Sequence, residues 1–238
     1  MIQDLHSHTY YSACAHDKPE KVIEAAINGG IQMLGICDHS YGVGHPHAAD
    51  FDRTFTRYHD HINLLKEKYR NKIKILSGLE IRTDYRGNPN YVFPDRADVS
   101  FFDYCLVENL DGPGSITKGD IFSFAKRCGC TTGIAHTDMF KFIKSLGEDP
   151  YRYFRKMAEQ GIFWEMNVNY DSVHNFQTHD YVTNFLQSKE QQEIVRKSGV
   201  RLSVGFDCHK ADEYKAMRVI TTCKALQNAG IHLVFEGM

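Results

Sequence analysis

Histidines and carboxylates recur in this chain where short apolar runs finish: Asp4-Leu5-His6-Ser7-His8, then Asp38-His39, Glu80, His136, and finally Asp207-Cys208-His209. A His-x-His pair on an extended segment turns both rings to one side, because strand side chains alternate. Two imidazoles on one side supply half of a zinc or iron site, and Asp207 and His209 repeat the same spacing. A carboxylate such as Glu80 can bridge two cations. Mixed imidazole and carboxylate ligands suit Zn²⁺, Fe²⁺ or Mn²⁺ better than Ca²⁺ or Mg²⁺. Each fragment alone has a plainer reading: a packed histidine pair, a loop or cap at Asp38-His39, a salt-bridge carboxylate at Glu80. Five run ends in order, each carrying a ligand-type residue, point instead to one metal site.

Such residues meet only if the runs are strands of one sheet. Runs at residues 2–5, 33–37, 73–81, 104–107, 131–135, 162–166, 201–205 and 231–235 read as strands. Helical patterns at 18–28, 51–70, 121–127, 150–160, 190–197 and 212–228 separate them. Pro19 suits a first helical turn, and Gly29-Gly30, Gly161, Gly199 and Gly230 stop helices. Repeated βα units predict a parallel α/β sheet. Seven or eight strands favour closure into a barrel, with the open doubly wound sheet as the alternative. In a barrel the strand ends share one face, where active sites are built. No internal repeat, linker or low-complexity tract divides the 238 residues, so a single domain spanning residues 1–238 is expected.

The composition narrows the partners. A net charge of −2 lacks the basic footprint of a nucleic-acid binder and disfavours long nucleic acids. No apolar run reaches the roughly 18–20 residues that cross a bilayer, and the first residues do not form a signal peptide. Seven scattered cysteines, an odd number, fit a reduced, cytoplasmic compartment better than a disulfide scaffold. Cys128 and Cys130, spaced C-x-C, are expected to be ordinary thiols.

The motifs Asp4-Leu5-His6-Ser7-His8-Thr9, Cys37-Asp38-His39-Ser40, Gly78-Leu79-Glu80, Ala135-His136 and Gly205-Phe206-Asp207-Cys208-His209 together resemble the ordered motifs of the PHP (polymerase and histidinol phosphatase) family, over residues 4 to 209. The resemblance implies a distorted (β/α)7 barrel with two or three divalent metals (Zn, Mn or Fe) and phosphoesterase chemistry. It implies that His6, His8, Glu80 and Asp207 hold one metal, that Glu80 and His136 share a second, and that His39 and His209 hold a third. His16 is expected to complete the third site. Asp4 and Asp38 are expected to orient ligand imidazoles. The family's histidine after the fourth strand is missing: Asn109 stands at or near that place. Asparagine is a poor transition-metal ligand, so the second metal is expected to be weaker, lost, or rescued by Glu108.

The expected reaction is metal-assisted hydrolysis, in which a bridging water acidified toward a pKa of about 7 attacks phosphorus in line. His136, Asp207 and His209 are the candidates for proton transfer to the leaving group, and the residues alone do not choose among them. Arg82, Lys210 and Tyr170 are the candidates for substrate contact. A small phosphomonoester is the expected substrate, histidinol phosphate by family weight. A nucleotide or nucleic-acid diester is the alternative, as is a metal-binding member with reduced catalysis. His45 and His47 are read as part of a rim loop rather than as ligands.

Overall fold

The alternating apolar and amphipathic runs fold as β1 (Gln3–Asp4), α1 (Pro19–Asn28), β2 (Met33–His39), α2 (Ser40–Val43), α3 (Phe51–Tyr69), β3 (Lys74–Arg82), β4 (Tyr104–Glu108), α4 (Ile121–Cys128), β5 (Thr131–Ile134), α5 (Met139–Ser145), α6 (Pro150–Glu159), β6 (Phe163–Asn167), α7 (Asp180–Gln187), α8 (Lys189–Ser198), β7 (Leu202–Gly205) and α9 (Ala216–Asn228). The computed structural model describes residues 1–43, 51–84, 93–110, 112, 114–169 and 179–237, without the side chains of 51 and 52. The helices start where sequence chemistry permits. Pro19 occupies the first turn of α1, and Asp120, Asp138, Asp149 and Ser188 accept backbone N–H bonds at the starts of α4, α5, α6 and α8. Each such cap is worth about 1 kcal/mol.

All neighbouring strands pair in parallel, in the order β1 to β7. The two outer strands then meet. The Leu5 N–H donates to the Val204 carbonyl at 2.8 Å, the Asp207 N–H to His6 at 2.7 Å, and the His8 N–H to Cys208 at 2.8 Å. An open doubly wound sheet would reverse its strand order at a switch point; here the order is sequential and the seam is bonded. The result, among the described residues, is a single, nearly closed barrel of seven parallel strands ringed by helices.

Alternation along the strands decides what faces inward. On β3, Ile75, Leu79 and Ile81 pack outward against the helices, while Leu76 packs into the barrel interior. Glu80 and Arg82 lie two and three alternations beyond Leu76, so they share its inward face at the C-terminal end. The same rule places His39 beyond Met33 and Cys37 on β2, Glu108 beyond Tyr104 and Leu106 on β4, and Glu165 and Asn167 beyond Phe163 on β6. The lower interior is filled by Leu5, Met33, Leu76, Tyr104, Phe163 and Phe235, leaving a polar upper end.

Three expectations change. The run at residues 231–235 is not an eighth strand: it makes one bridge, Leu202 to Leu233, and then turns, with Phe235 at φ 60°. Val234 and Phe235 instead close the barrel floor. The helix expected from 212 to 228 is split, because Tyr214 leaves the helical path and its hydroxyl reaches Asp4 at 2.6 Å. Helices α2, α5 and α7 were not anticipated. Among the described residues, no helix is long and apolar enough to cross a membrane.

Candidate metal centre

Glu80 is the hub of the upper end. Its Oε1 lies 3.3 Å from His6 Nε2 and 3.1 Å from His136 Nε2; its Oε2 lies 2.7 Å from His39 Nδ1 and 3.4 Å from His8 Nε2. Asp207 Oδ1 approaches from the opposite wall, 3.0 Å from His8 Nε2 and 3.6 Å from His6 Nε2. The His39 Nδ1 and Glu80 Oε2 atoms are shielded from solvent, yet their close approach lacks hydrogen-bond alignment. Buried ligand-type atoms crowded together without hydrogen bonds to satisfy them fit a shared cation. Among the described residues, three overlapping groups have one ligand atom per residue within 4.8 Å of the others: His6, His8 and Glu80; His39, Glu80 and Glu108; and His8, Cys14, His39 and His209.

The surrounding bonds fix which imidazole nitrogen faces the centre. His6 Nδ1 lies 2.7 Å from Glu165 Oε1. An ionised carboxylate only accepts, so Nδ1 carries the proton and Nε2 points inward. Ser12 Oγ donates to Asp38 at 2.6 Å and therefore accepts from His8 Nδ1 at 3.2 Å, which again leaves Nε2 inward. His209 Nδ1 donates to the Asp207 carbonyl at 2.9 Å. Asp38 also takes the Thr9 N–H and hydroxyl, both at 2.7 Å, so it holds the loop that carries His8. Asp4 accepts the His6 and Phe206 N–H groups at 3.1 and 2.9 Å, fixing the turn before each ligand strand end. Asp207 is held by the Asn167 and Asn169 amides at 3.4 and 3.2 Å.

Electrostatics follow from this crowding. Burial alone would lower the His39 pKa, but the Glu80 charge outweighs it and raises it to about 10. His136 is raised to about 9 against burial by its bond to Glu80 and by that charge. Burial opposes His6 too, yet Asp207, Glu165 and Glu80 keep it well above the ordinary histidine range. His8 moves the other way, because burial and the neighbouring His39 and His209 disfavour its charge. Glu80 and Asp207 stay well below the carboxylate range, the imidazoles overcoming burial. Burial pushes Asp4 up to about 6 against its three hydrogen bonds. Protons thus supply the positive charge that divalent cations would supply at the same positions.

The remaining expected residues divide. Arg82 lines the cavity; its Nε bonds Asp84 Oδ1 at 2.8 Å and its guanidinium lies 5.7 Å from the Tyr41 ring centre. Asn109 also lines it, and its amide donates to Glu108 Oε2 at 2.8 Å. Glu108 Oε1 is 3.7 Å from His39 Nδ1, which places its carboxylate in one ligand group with His39 and Glu80. His16 is exposed and, among the described residues, belongs to no ligand group; the turn from Thr9 to Ala15 brings Cys14 inward instead. Lys210 is exposed and bonds Glu213 at 3.3 Å, outside the cavity. Tyr170, His45 and His47 lie outside the described residues.

Four participants were missed. Cys14 makes hydrogen bonds with His209 and His39 that, against burial, hold its thiol below the ordinary range. Glu165 anchors both the His6 ring and the His136 backbone N–H, the latter at 2.9 Å. Tyr41 packs its ring on His39, with centroids 4.7 Å apart. His179 stacks on His136 with centroids 5.9 Å apart and planes within 15°. The inward register of β6 was the available signal for Glu165. For Cys14 there was none beyond its distance from the first motif.

The cavity enclosed by these groups measures about 390 Å³. Three residues around it hold backbones that non-glycine residues rarely adopt: Asn109 at φ 59°, His136 at φ 24° and Asp207 at φ 54°. Strain of this kind gathers where side-chain placement is over-determined. Gly205 shows how tight the fit is, since a Cβ there would strike Glu165 Oε1 and sit 2.6 Å from His6 Cβ.

Comparison with known proteins agrees with this architecture. The PHP domain family matches residues 4–228. A histidinol-phosphatase of Lactococcus lactis subsp. lactis is 33% identical over 85 residues, 35% of this chain and 30% of that protein, so the alignment spans under a third of the relative. A crystal structure of the L. lactis histidinol phosphate phosphatase, complexed with zinc, L-histidinol and phosphate, superposes with a TM-score of 0.62 at 19% identity, covering 98% of this chain and 95% of that one. A structure from work on metal-dependent tyrosine phosphatases of Bacillus subtilis and Streptococcus pneumoniae superposes at 0.51, with 15% identity, 94% and 86% covered. At these identities the superpositions speak for the fold alone.

Proposed function

The chain belongs to the PHP domain family, and on that premise we propose that it is a metal-dependent phosphatase acting on a small phosphomonoester, with histidinol phosphate the first substrate to test. One observation carries the reading: Glu80 gathers His6, His8, His39 and His136 around one carboxylate, opposite Asp207 and beside Arg82. His6, His8, Glu80 and Asp207 would hold one divalent cation, Glu80, His136 and Glu108 would serve a second, and His39 and His209 would serve a third. When bound, such cations supply charge neutralisation at phosphoryl oxygens and a nucleophile at neutral pH.

The chain's own residues do the rest. Arg82, braced by Asp84, would orient an anionic phosphoryl group with a planar fork of donors. Glu165, Ser12 and Asp38 keep the His6 and His8 imidazoles in the tautomer that presents Nε2, so these two rings need not turn when a cation or substrate arrives. His136 and His209 stand at the cavity wall, where whichever of them no cation ligates could hand a proton to a leaving alkoxide. The cavity volume of about 390 Å³ lies near the small end for ligand pockets and suits a compact substrate.

A second reading has one observation in its favour. Glu108 with Asn109, where a histidine is expected, makes the second site richer in oxygen and weaker for zinc, which fits a member with reduced turnover or a diester preference. The deciding experiment loads the purified protein with Zn²⁺, Mn²⁺ or Fe²⁺ and assays histidinol phosphate, phosphotyrosine peptides, nucleotides and a diester. Selective monoester release supports the phosphatase. Diester preference, or no turnover with metals bound, supports the second reading.

A further inference from the structure

Two of the three ligand groups around Glu80 are built from imidazole and carboxylate. The third contains no carboxylate at all: His8, Cys14, His39 and His209 bring three imidazoles and one thiol within 4.8 Å of one another. His8 lies between the other two rings, 4.4 Å from His39 and 4.5 Å from His209 by centroids. The thiol reaches this position because the loop after β1 coils back on itself. The Ser12 N–H bonds Thr9, the Ala15 N–H bonds Ser12, and the Tyr10 N–H bonds Asp17. Cys14 is half-buried and lines the cavity, and it forms no disulfide.

We propose that Cys14 is a thiolate ligand that completes a sulfur-and-nitrogen cation site with His39 and His209, chemically distinct from the oxygen-rich sites at Glu80. The proposal rests on the metalloenzyme reading but not on any particular substrate. Once a cation has displaced the ring protons, the His39 and His209 imidazoles are neutral, and the thiolate supplies the negative charge they lack. It also makes the site borderline-soft, so the site should prefer Zn²⁺, Co²⁺ or Fe²⁺ and reject Mn²⁺ and Mg²⁺, which favour oxygen. The neighbouring group of His39, Glu80 and Glu108 carries two carboxylates and has the opposite bias. One cavity would therefore hold cations of different classes. The half-exposed thiol also makes this site the one that alkylating reagents can reach, and a bound cation would shield it.

Cobalt titration of the metal-stripped protein tests this without substrate. Wild type should develop a near-ultraviolet thiolate-to-cobalt charge-transfer band as the site fills, and Zn²⁺ should slow alkylation of Cys14, located by peptide mass. Cys14→Ser should lose the band, and its zinc affinity at that site should fall at least about tenfold. Cys14→Asp should bind without the band and gain tolerance of Mn²⁺, which separates ligand exchange from misfolding. Full cobalt uptake by wild type with no charge-transfer band would overturn the proposal, as would unchanged zinc affinity in Cys14→Ser. Phosphatase failure reads differently: a band without turnover keeps Cys14 as ligand, and turnover without a band removes it.

Discussion

His6 Nδ1 and Glu165 Oε1 lie 2.7 Å apart, both fully buried, across 159 residues of chain. That bond commits the imidazole to one tautomer and aims its Nε2 at Glu80 and Asp207. The second Glu165 oxygen accepts the His136 N–H, so one carboxylate positions two candidate ligands. Glu165→Gln keeps an acceptor for one of them and sets an N–H donor against the other. Zinc affinity should fall by roughly 10- to 100-fold in this variant, the range for groups that orient ligands, while secondary structure stays intact. Competition with a chromophoric chelator measures it, and an unchanged dissociation constant would count against the role given to Glu165.

Gly205→Ala should give a related phenotype by sterics. The new Cβ meets Glu165 Oε1 and His6 Cβ, and neither neighbour is a flexible chain end with room to leave. Crowding of this kind costs about 1–3 kcal/mol. Thermal unfolding of the metal-free protein should show the loss, and a midpoint equal to wild type would mean that the seam is looser than described.

Asn109→His restores an imidazole beside Glu108. Asn109 sits at φ 59°, a region in which histidine, like asparagine, is found more often than most residues. The variant should therefore fold, and the second site should bind zinc more tightly or more completely. Metal analysis after gel filtration reads the stoichiometry, and no change would show that the position does not face a cation.

Metal binding and pH are linked with a definite sign. His39 and His136, raised to about 10 and about 9 by Glu80, carry protons near neutrality that a cation must displace. Affinity should rise with pH from 6 to 8, by up to about tenfold per unit for each proton released. The metal-free protein should behave oppositely. Imidazoles whose folded pKa exceeds the unfolded value stabilise fully below about pH 6.5, and that contribution is lost as pH rises through about 9 to 10. Calorimetric titrations in buffers of different ionisation enthalpy count the protons, and none released would contradict the charge balance around Glu80.

Arg82→Ala should lower kcat/KM for a phosphomonoester by about 10- to 150-fold, the value of a charge-assisted hydrogen bond, with metal content unchanged. Loss of metal instead of catalytic efficiency would move Arg82 from substrate contact to support of the site.

Much of this was legible in the chain. The βα alternation gave the strand order because short apolar runs and glycine-stopped helices have no other economical packing. His6, His8, His39, Glu80, His136, Asp207 and His209 stood at run ends, where a barrel must bring them together. What escaped depends on the conformation of irregular segments. His16 matched a ligand by type, but a tight turn from Thr9 to Ala15 presents Cys14 and leaves His16 outside. Lys210 follows a ligand directly yet turns to Glu213. Residues 231–235 alternate like a strand and serve as a plug, since the sheet already closes on β1. Glu165 was hidden because its partner is distant in sequence, although its register with Phe163 and Asn167 marked it as inward.

In the proposed centre, Glu80 would be shared between cations held by imidazoles from separate strand ends. Anomalous diffraction at the zinc edge from zinc-loaded crystals tests it most directly. Peaks within about 2.0–2.2 Å of Glu80 oxygens and of His6, His8 or His136 nitrogens are expected. Zinc bound elsewhere, with the Glu80 carboxylate still paired only to protonated imidazoles, would contradict it.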